Sequence, residues 1–201
     1  MPTGVAMRDA REQLFDAAER VLLRDGPHAL TSRAVTTEAG CAKGVLHRHF
    51  DDFDAFLAEL VRDRAARVEA QAAALLERAG AGTVAGNLTD VLMDLFGSVA
   101  VAIVALITFR DDLRARLRRD RPTGVPILTE ATAMIVSYLA AERERGRIAS
   151  DADLDALALA LIGSGHLLFA GREDIPPGVE AVHHMVTTVI AGATPRALDI
   201  K

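Results

Sequence analysis

The stretch TSRAVTTEAGCAKGVLHRHF, residues 31–50, decides the reading of this chain. Two short segments with helical apolar spacing, Thr31 to Ala39 and Ala42 to Phe50, flank Gly40. Thr31 suits a helix N-cap, because its side-chain oxygen can accept from the free N–H groups of the first turn. Gly40 then breaks the chain. Two such helices around a tight glycine turn have the helix-turn-helix arrangement, in which the second helix enters the major groove. In that second helix Leu46 and Phe50 lie four apart on an inward face, while Lys43, Gly44, His47 and Arg48 fall on the opposite one. Lys43, His47, Arg48 and His49 can donate to phosphates or base edges, Gly44 admits close backbone approach, and Val45 completes the candidate DNA face. Thr31, Ser32 and Arg33 can add phosphate contacts through hydroxyl, guanidinium and free backbone N–H groups. A short solvated helix accounts for the same residues equally well.

Upstream, Leu14, Ala17, Ala18, Val21 and Leu22 recur at three- and four-residue steps between Arg8 and Arg24, and Gly26-Pro27 ends that helix. Downstream, Asp51, Asp52, Phe53 and Asp54 open a fourth helix, since acidic residues complement the positive end of the helix dipole; Leu57, Leu60, Val61 and Val68 give its inner face. Glycine and proline marks beyond residue 80 divide five further helices. The apolar run Val99 to Phe109 reads as a buried helix, because no partner strands with hairpin signals accompany it. The expected fold class is all-α: an N-terminal three-helix helix-turn-helix domain over residues 1–50 and a larger helical domain over 51–201.

Charge narrows the function. The chain carries a formal net charge of −5, which excludes a generally basic nucleic-acid coat. Residues 1–50 hold seven Lys and Arg against six Asp and Glu, leaving sixteen against twenty-two for 51–201, so any phosphate-binding face belongs at the N-terminus. The single Cys41 excludes an intramolecular disulfide framework and, with no signal-peptide pattern, points to the cytoplasm. The apolar run falls far short of the roughly 20 residues that span a membrane, so no span is expected. No carboxylate or further ligand is placed beside Cys41, His47 and His49 to complete a triad or a metal shell, and no phosphate loop, carboxylate pair or nucleophile motif emerges. Neither enzymatic activity, a metal nor a cofactor is expected.

Ala17-Ala18, Gly26, Leu30-Thr31 and above all the segment from Ala39 to Phe50 resemble the DNA-binding segment of the tetracycline-repressor (TetR) family, over about residues 8–57. The resemblance implies a ligand-responsive transcriptional repressor: a homodimer, with residues 51–201 as its dimerisation and effector-binding domain, that binds double-stranded DNA at a near-palindromic operator and releases it on binding a small, mainly apolar effector. Three positions depart from the family pattern, with His47 where Tyr is common, Ala42 for Ser and Phe53 for Lys, while Asp51, Asp52 and Asp54 crowd nearby. A helix cap and a phosphate contact are lost, and the acidic cluster is expected to make binding weaker or more salt-sensitive. A helical ligand-binding or interaction module with a degenerate DNA reader is the alternative.

In the remaining chain, Met93, Phe96, Phe109, Met134, Tyr138, His166 and Phe169 supply the bulky or polar-tipped groups of an expected effector pocket, with Tyr138 and His166 as polar anchors. Such residues more often simply pack a core. The run Arg114, Arg116, Arg118, Arg119 and Arg121, interspersed with Asp111, Asp112 and Asp120, reads as a salt-bridged helix end, and the resemblance adds that this helix can abut the DNA reader. Leu154, Leu157, Leu161, Gly165 and Leu168 form a stripe expected, with Val179 to Ile190, to make a twofold four-helix interface.

Overall fold

A computed structural model describes residues 4–42, 44–170 and 176–195, with the side chains of residues 4–9 excepted. Its regular structure there is entirely helical: α1 (Gly4–Asp25), α2 (Ser32–Glu38), α3 (Gly44–His49), α4 (Phe53–Glu77), α5 (Val84–Phe96), α6 (Ala100–Phe109), α7 (Asp111–Asp120), α8 (Leu128–Glu144), α9 (Leu154–Ala170) and α10 (Val179–Ile190). Among the described residues, six helices follow residue 80 where five were expected. The extra break falls at Arg110, whose extended backbone (φ −107°, ψ 104°) separates α6 from α7 without a glycine or proline. No single described helix is long and apolar enough to cross a membrane.

The chain forms two compact units, one of Met1–Arg64 with Ala102–Val125, the other of Ala65–Val101 with Pro126–Lys201. In the first, the apolar positions of α1 (Leu14, Phe15, Ala17, Ala18, Val21, Leu22) are buried together with Leu30, Val35, Leu46, Phe50, Phe56, Leu57 and Leu60. Phe15, Phe50 and Phe56 pack as a trio, their ring centroids 5.0 to 5.9 Å apart. Arg64, only 4% exposed, ties α4 to α1 through Glu19 and Asp16 and also pairs with Asp63.

In the second unit α8 packs on α9, and α10 on α5 and α9. Leu88, Leu92, Ile135, Leu139, Leu161, Ile162, Val182 and Val186 are buried there. A polar cluster is enclosed with them. Asn87 Nδ2 donates to the Ala81 carbonyl and to the Tyr138 hydroxyl, both at 2.9 Å. The Glu142 carboxylate, fully buried, accepts from Arg147 Nη2 at 2.6 Å and Nε at 2.7 Å and from the Gly80 N–H at 3.3 Å. Burial opposes the charge on Glu142, yet hydrogen bonds from Arg147, Tyr138 and Gly80 outweigh it and hold the carboxyl below the usual carboxylate range. Burial and the bond to Glu142 push the Tyr138 phenol up to about 12.

Removing Arg147 would leave a buried carboxylate without its charge partner. Arg147→Ala is expected to cost about 3 kcal/mol in urea unfolding at neutral pH, the low end for such a loss because the arginine is itself partly exposed. Because the native carboxyl titrates below its unfolded value, its stabilisation is full above the unfolded value and lost as pH falls through the native one. Wild-type stability should therefore fall more steeply below about pH 4.5 than that of Glu142→Gln, measured by unfolding midpoints across that range.

Candidate nucleic-acid interface

The turn between α2 and α3 is closed by backbone geometry that glycine permits. Gly40 has φ +64°, its N–H donates to the Thr37 carbonyl at 3.1 Å, and the Cys41 N–H donates to the Thr36 carbonyl at 3.0 Å. This paired closure is the Schellman arrangement, which needs a left-handed residue one place past the helix cap. At the other end of α2, Thr31 Oγ1 accepts from the Ala34 N–H at 3.1 Å, as an N-cap. Glu38, near the end of α2, receives Arg20 at 2.7 Å and Arg24 at 2.9 Å from α1, and these arginines hold its carboxyl below the usual range.

Leu46 is fully buried and Phe50 nearly so, which turns the other side of α3 outward. Gly44, His47 and Arg48 are exposed there, with Val45 and His49 half-buried at the margins. A Cβ on Gly44 would meet nothing within 4 Å, so the backbone is open to a partner at that point. Thr31 and Arg33 are exposed at the start of α2, whereas Ser32 is half-buried with its hydroxyl enclosed and without a hydrogen-bond partner. Lys43 lies outside the described residues. The remaining predicted DNA contacts thus fall along the start of α2 and the outer side of α3.

The acidic residues after α3 are largely spoken for. Asp52 Oδ1 accepts from the Ala55 N–H at 2.6 Å, capping α4, while its Oδ2 receives Arg116 at 2.7 Å. The backbone bond is the larger of the two in holding the Asp52 carboxyl low. Asp54 lies 3.5 Å from Arg110. Asp51 stays exposed. Arg114 pairs with Asp111 within α7, as expected of a salt-bridged helix, but Arg110 and Arg116 join that helix to the start of α4, which no local spacing signals.

The residues expected to line an effector pocket are dispersed. Phe96, His166 and Phe169 come together in the second unit, the Phe96 centroid lying 6.0 Å from His166 and 5.9 Å from Phe169. A Cβ on Gly165 would stand 2.7 Å from the Phe96 ring, so glycine is what lets that ring lie against α9. His166 Nδ1 is enclosed with no hydrogen-bond partner, and burial lowers the imidazole pKa. Tyr138 is buried and its hydroxyl is engaged by Asn87 and Glu142, Met134 is buried on α8, and Met93 is half-buried on α5. Phe109 belongs to the first unit, 53% exposed, with its ring 4.0 Å from His28.

The family described as "Bacterial regulatory proteins, tetR family" matches residues 14–60. No curated protein is matched by the sequence. Among solved structures, the reduced form of NemR from E. coli superposes with a TM-score of 0.70 at 19% identity, over 94% of this chain and 100% of that one. FadR from Bacillus subtilis, in complex with stearoyl-CoA, gives 0.65 at 18% over 90% and 98%; NalD from Pseudomonas aeruginosa, the secondary repressor of the MexAB-OprM multidrug efflux pump, gives 0.61 at 16% over 94% and 98%. At these identities the structures establish the fold, and the matched segment coincides with the helix-turn-helix built above. Residues 14–60 thus match the tetR family of bacterial regulatory proteins, and the chain as a whole shares the fold of these structures.

Proposed function

We propose that the protein is a ligand-responsive repressor that binds a near-palindromic operator as a homodimer in the cytoplasm, with DNA reading in the first unit and dimerisation and effector binding in the second. The observation that carries the reading is the outer side of α3, where Gly44, His47 and Arg48 stand exposed on a helix pinned from within by Leu46 and Phe50. That geometry supports insertion into a major groove. Genomic selection of bound fragments with purified protein tests it. Arg48→Ala is expected to weaken binding to a selected duplex by about ten-fold or more, and unchanged affinity would show that this helix does not enter the groove.

We place the surface for a second copy on a different side of α9 from the stripe expected from the sequence. Leu154, Leu161 and Gly165 are buried within their own unit, Gly165 against Phe96, while Leu157 and Leu168 are half-buried. The outward side of α9 carries Leu159 (66% exposed), Gly163 and Leu167 (73% exposed), and a Cβ on Gly163 would meet nothing within 4 Å. Val179 at the start of α10 is exposed as well. Two leucines flanking a glycine at four-residue steps favour a close helix-to-helix approach about a twofold axis. Leu167→Lys should convert a dimer into a monomer in sedimentation at micromolar concentration, and a wild-type monomer there would end the dimer reading.

For the effector, Phe96, His166 and Phe169 favour a mainly apolar molecule. His166, kept neutral by its burial, offers one donor and one acceptor in place of a charge. FadR, bound to stearoyl-CoA, is a structural relative that holds a fatty-acyl group. A ligand releases DNA only if it favours the arrangement that binds DNA less well, and operator must then weaken the ligand by the same factor. A thermal-shift screen of apolar metabolites and acyl chains, followed by operator titration with each hit, is expected to yield a ligand whose shift shrinks in His166→Ala. Hits that leave operator affinity unchanged would defeat the switch.

A further inference from the structure

Arg110 stands in the one-residue break between α6 and α7, and its side chain turns back into the first unit. Nη2 donates to the Leu30 carbonyl at 2.7 Å, Nη1 lies 3.5 Å from Asp54 Oδ1, and the guanidinium is 5.3 Å from the centre of the Phe53 ring. Leu30 immediately precedes Thr31, the cap of α2. The arginine therefore grips the main chain where it enters the helix-turn-helix, and at the same time the first turn of α4 that leaves it. Farther along α7, Arg116 holds Asp52, and Asp120 pairs with Arg62 of α4.

The charges matter as much as the grip. Asp52 and Asp54 follow the end of α3 by only a few residues, and physiological salt screens charges only beyond roughly 8 Å. Each half-exposed pair contributes little to folding stability by itself. Phosphates approaching α3, however, sense the sum of charge behind it, and two arginines from a distant part of the sequence cancel two of its three carboxylates.

Resting on the DNA-binding role proposed above, we infer that Arg110 and Arg116 are positioning residues of the reader: Arg110 fixes the entry of α2 through the Leu30 carbonyl, and both cancel the acidic cluster behind the recognition helix. The test uses the full-length protein and a short duplex that the wild type selects from a random pool. Arg110→Ala should weaken binding about ten-fold at low salt, a shift of the size that loss of one interfacial charge produces. Adding Asp54→Asn to Arg110→Ala should restore most of the loss, which a purely structural role would not do, and Arg110→Lys should fall between wild type and Arg110→Ala. Amide exchange read in the same variants should quicken over residues 31–38 in Arg110→Ala and stay unchanged in α8 and α9. Wild-type affinity together with wild-type exchange in Arg110→Ala overturns the inference, and failure of Asp54→Asn to restore binding overturns its charge half. Should the wild type select no duplex, the DNA-binding reading falls, and exchange over residues 31–38 alone decides whether Arg110 positions α2.

Discussion

The reader depends on burial of one side of a very short helix. α3 has six residues, far fewer than an isolated helix needs to persist in water, because nucleation fixes several residues for a single hydrogen bond. Its order comes from Leu46, with no exposed surface, and from Phe50, whose ring meets Phe15 of α1 and Phe56 of α4. These two anchors, four residues apart, leave the helix no freedom to rotate about its axis. His47 and Arg48 are presented outward as a direct result. The Gly40 turn sets the angle between α2 and α3, and Arg64 locks α1 to α4 behind them, so the exposed polar face is the outer consequence of a dry inner one.

Charge is distributed on the same logic. A protein with an overall negative charge can approach phosphates only where its carboxylates are paired or turned away. Around the helix-turn-helix Glu38 is held by Arg20 and Arg24, Glu19 by Arg64, Asp52 by Arg116 and Asp54 by Arg110. Two of the three carboxylates at residues 51, 52 and 54 are therefore paired, which their density in the sequence does not reveal. Asp52 has a further role as the cap of α4.

Features governed by near neighbours were legible in the sequence. Thr31, Gly40 and the Leu46–Phe50 spacing each act within one or two turns, and their outcome follows from local geometry alone. Contacts across long stretches left no local trace: Arg110 and Leu30 are 80 residues apart, Asn87 and Tyr138 51 apart, and nothing near Tyr138 shows that its hydroxyl is taken. Helix α9 illustrates a different difficulty. It carries leucine on every side, at 154, 157, 159, 161, 167 and 168, so periodicity finds a stripe without saying which stripe the chain covers with its own helices. Only the tertiary packing of Gly165 on Phe96 separates the inner side from the outer.

The first unit is discontinuous in sequence, closing only when residues 102–125 join residues 1–64. During synthesis the segment through Arg64 leaves the ribosome well before α7 exists, so the Leu30 carbonyl, Asp52 and Asp54 lack their arginine partners while about fifty further residues are added at about 5–20 residues per second. Closure then requires a contact of high sequence separation, a slow kind of event because loop entropy is lost before the contact forms. Closure of the first unit is thus tied to translation of more than half of these residues, and an N-terminal fragment ending before Arg110 would carry α3 without the arginines that pair with the Leu30 carbonyl, Asp54 and Asp52.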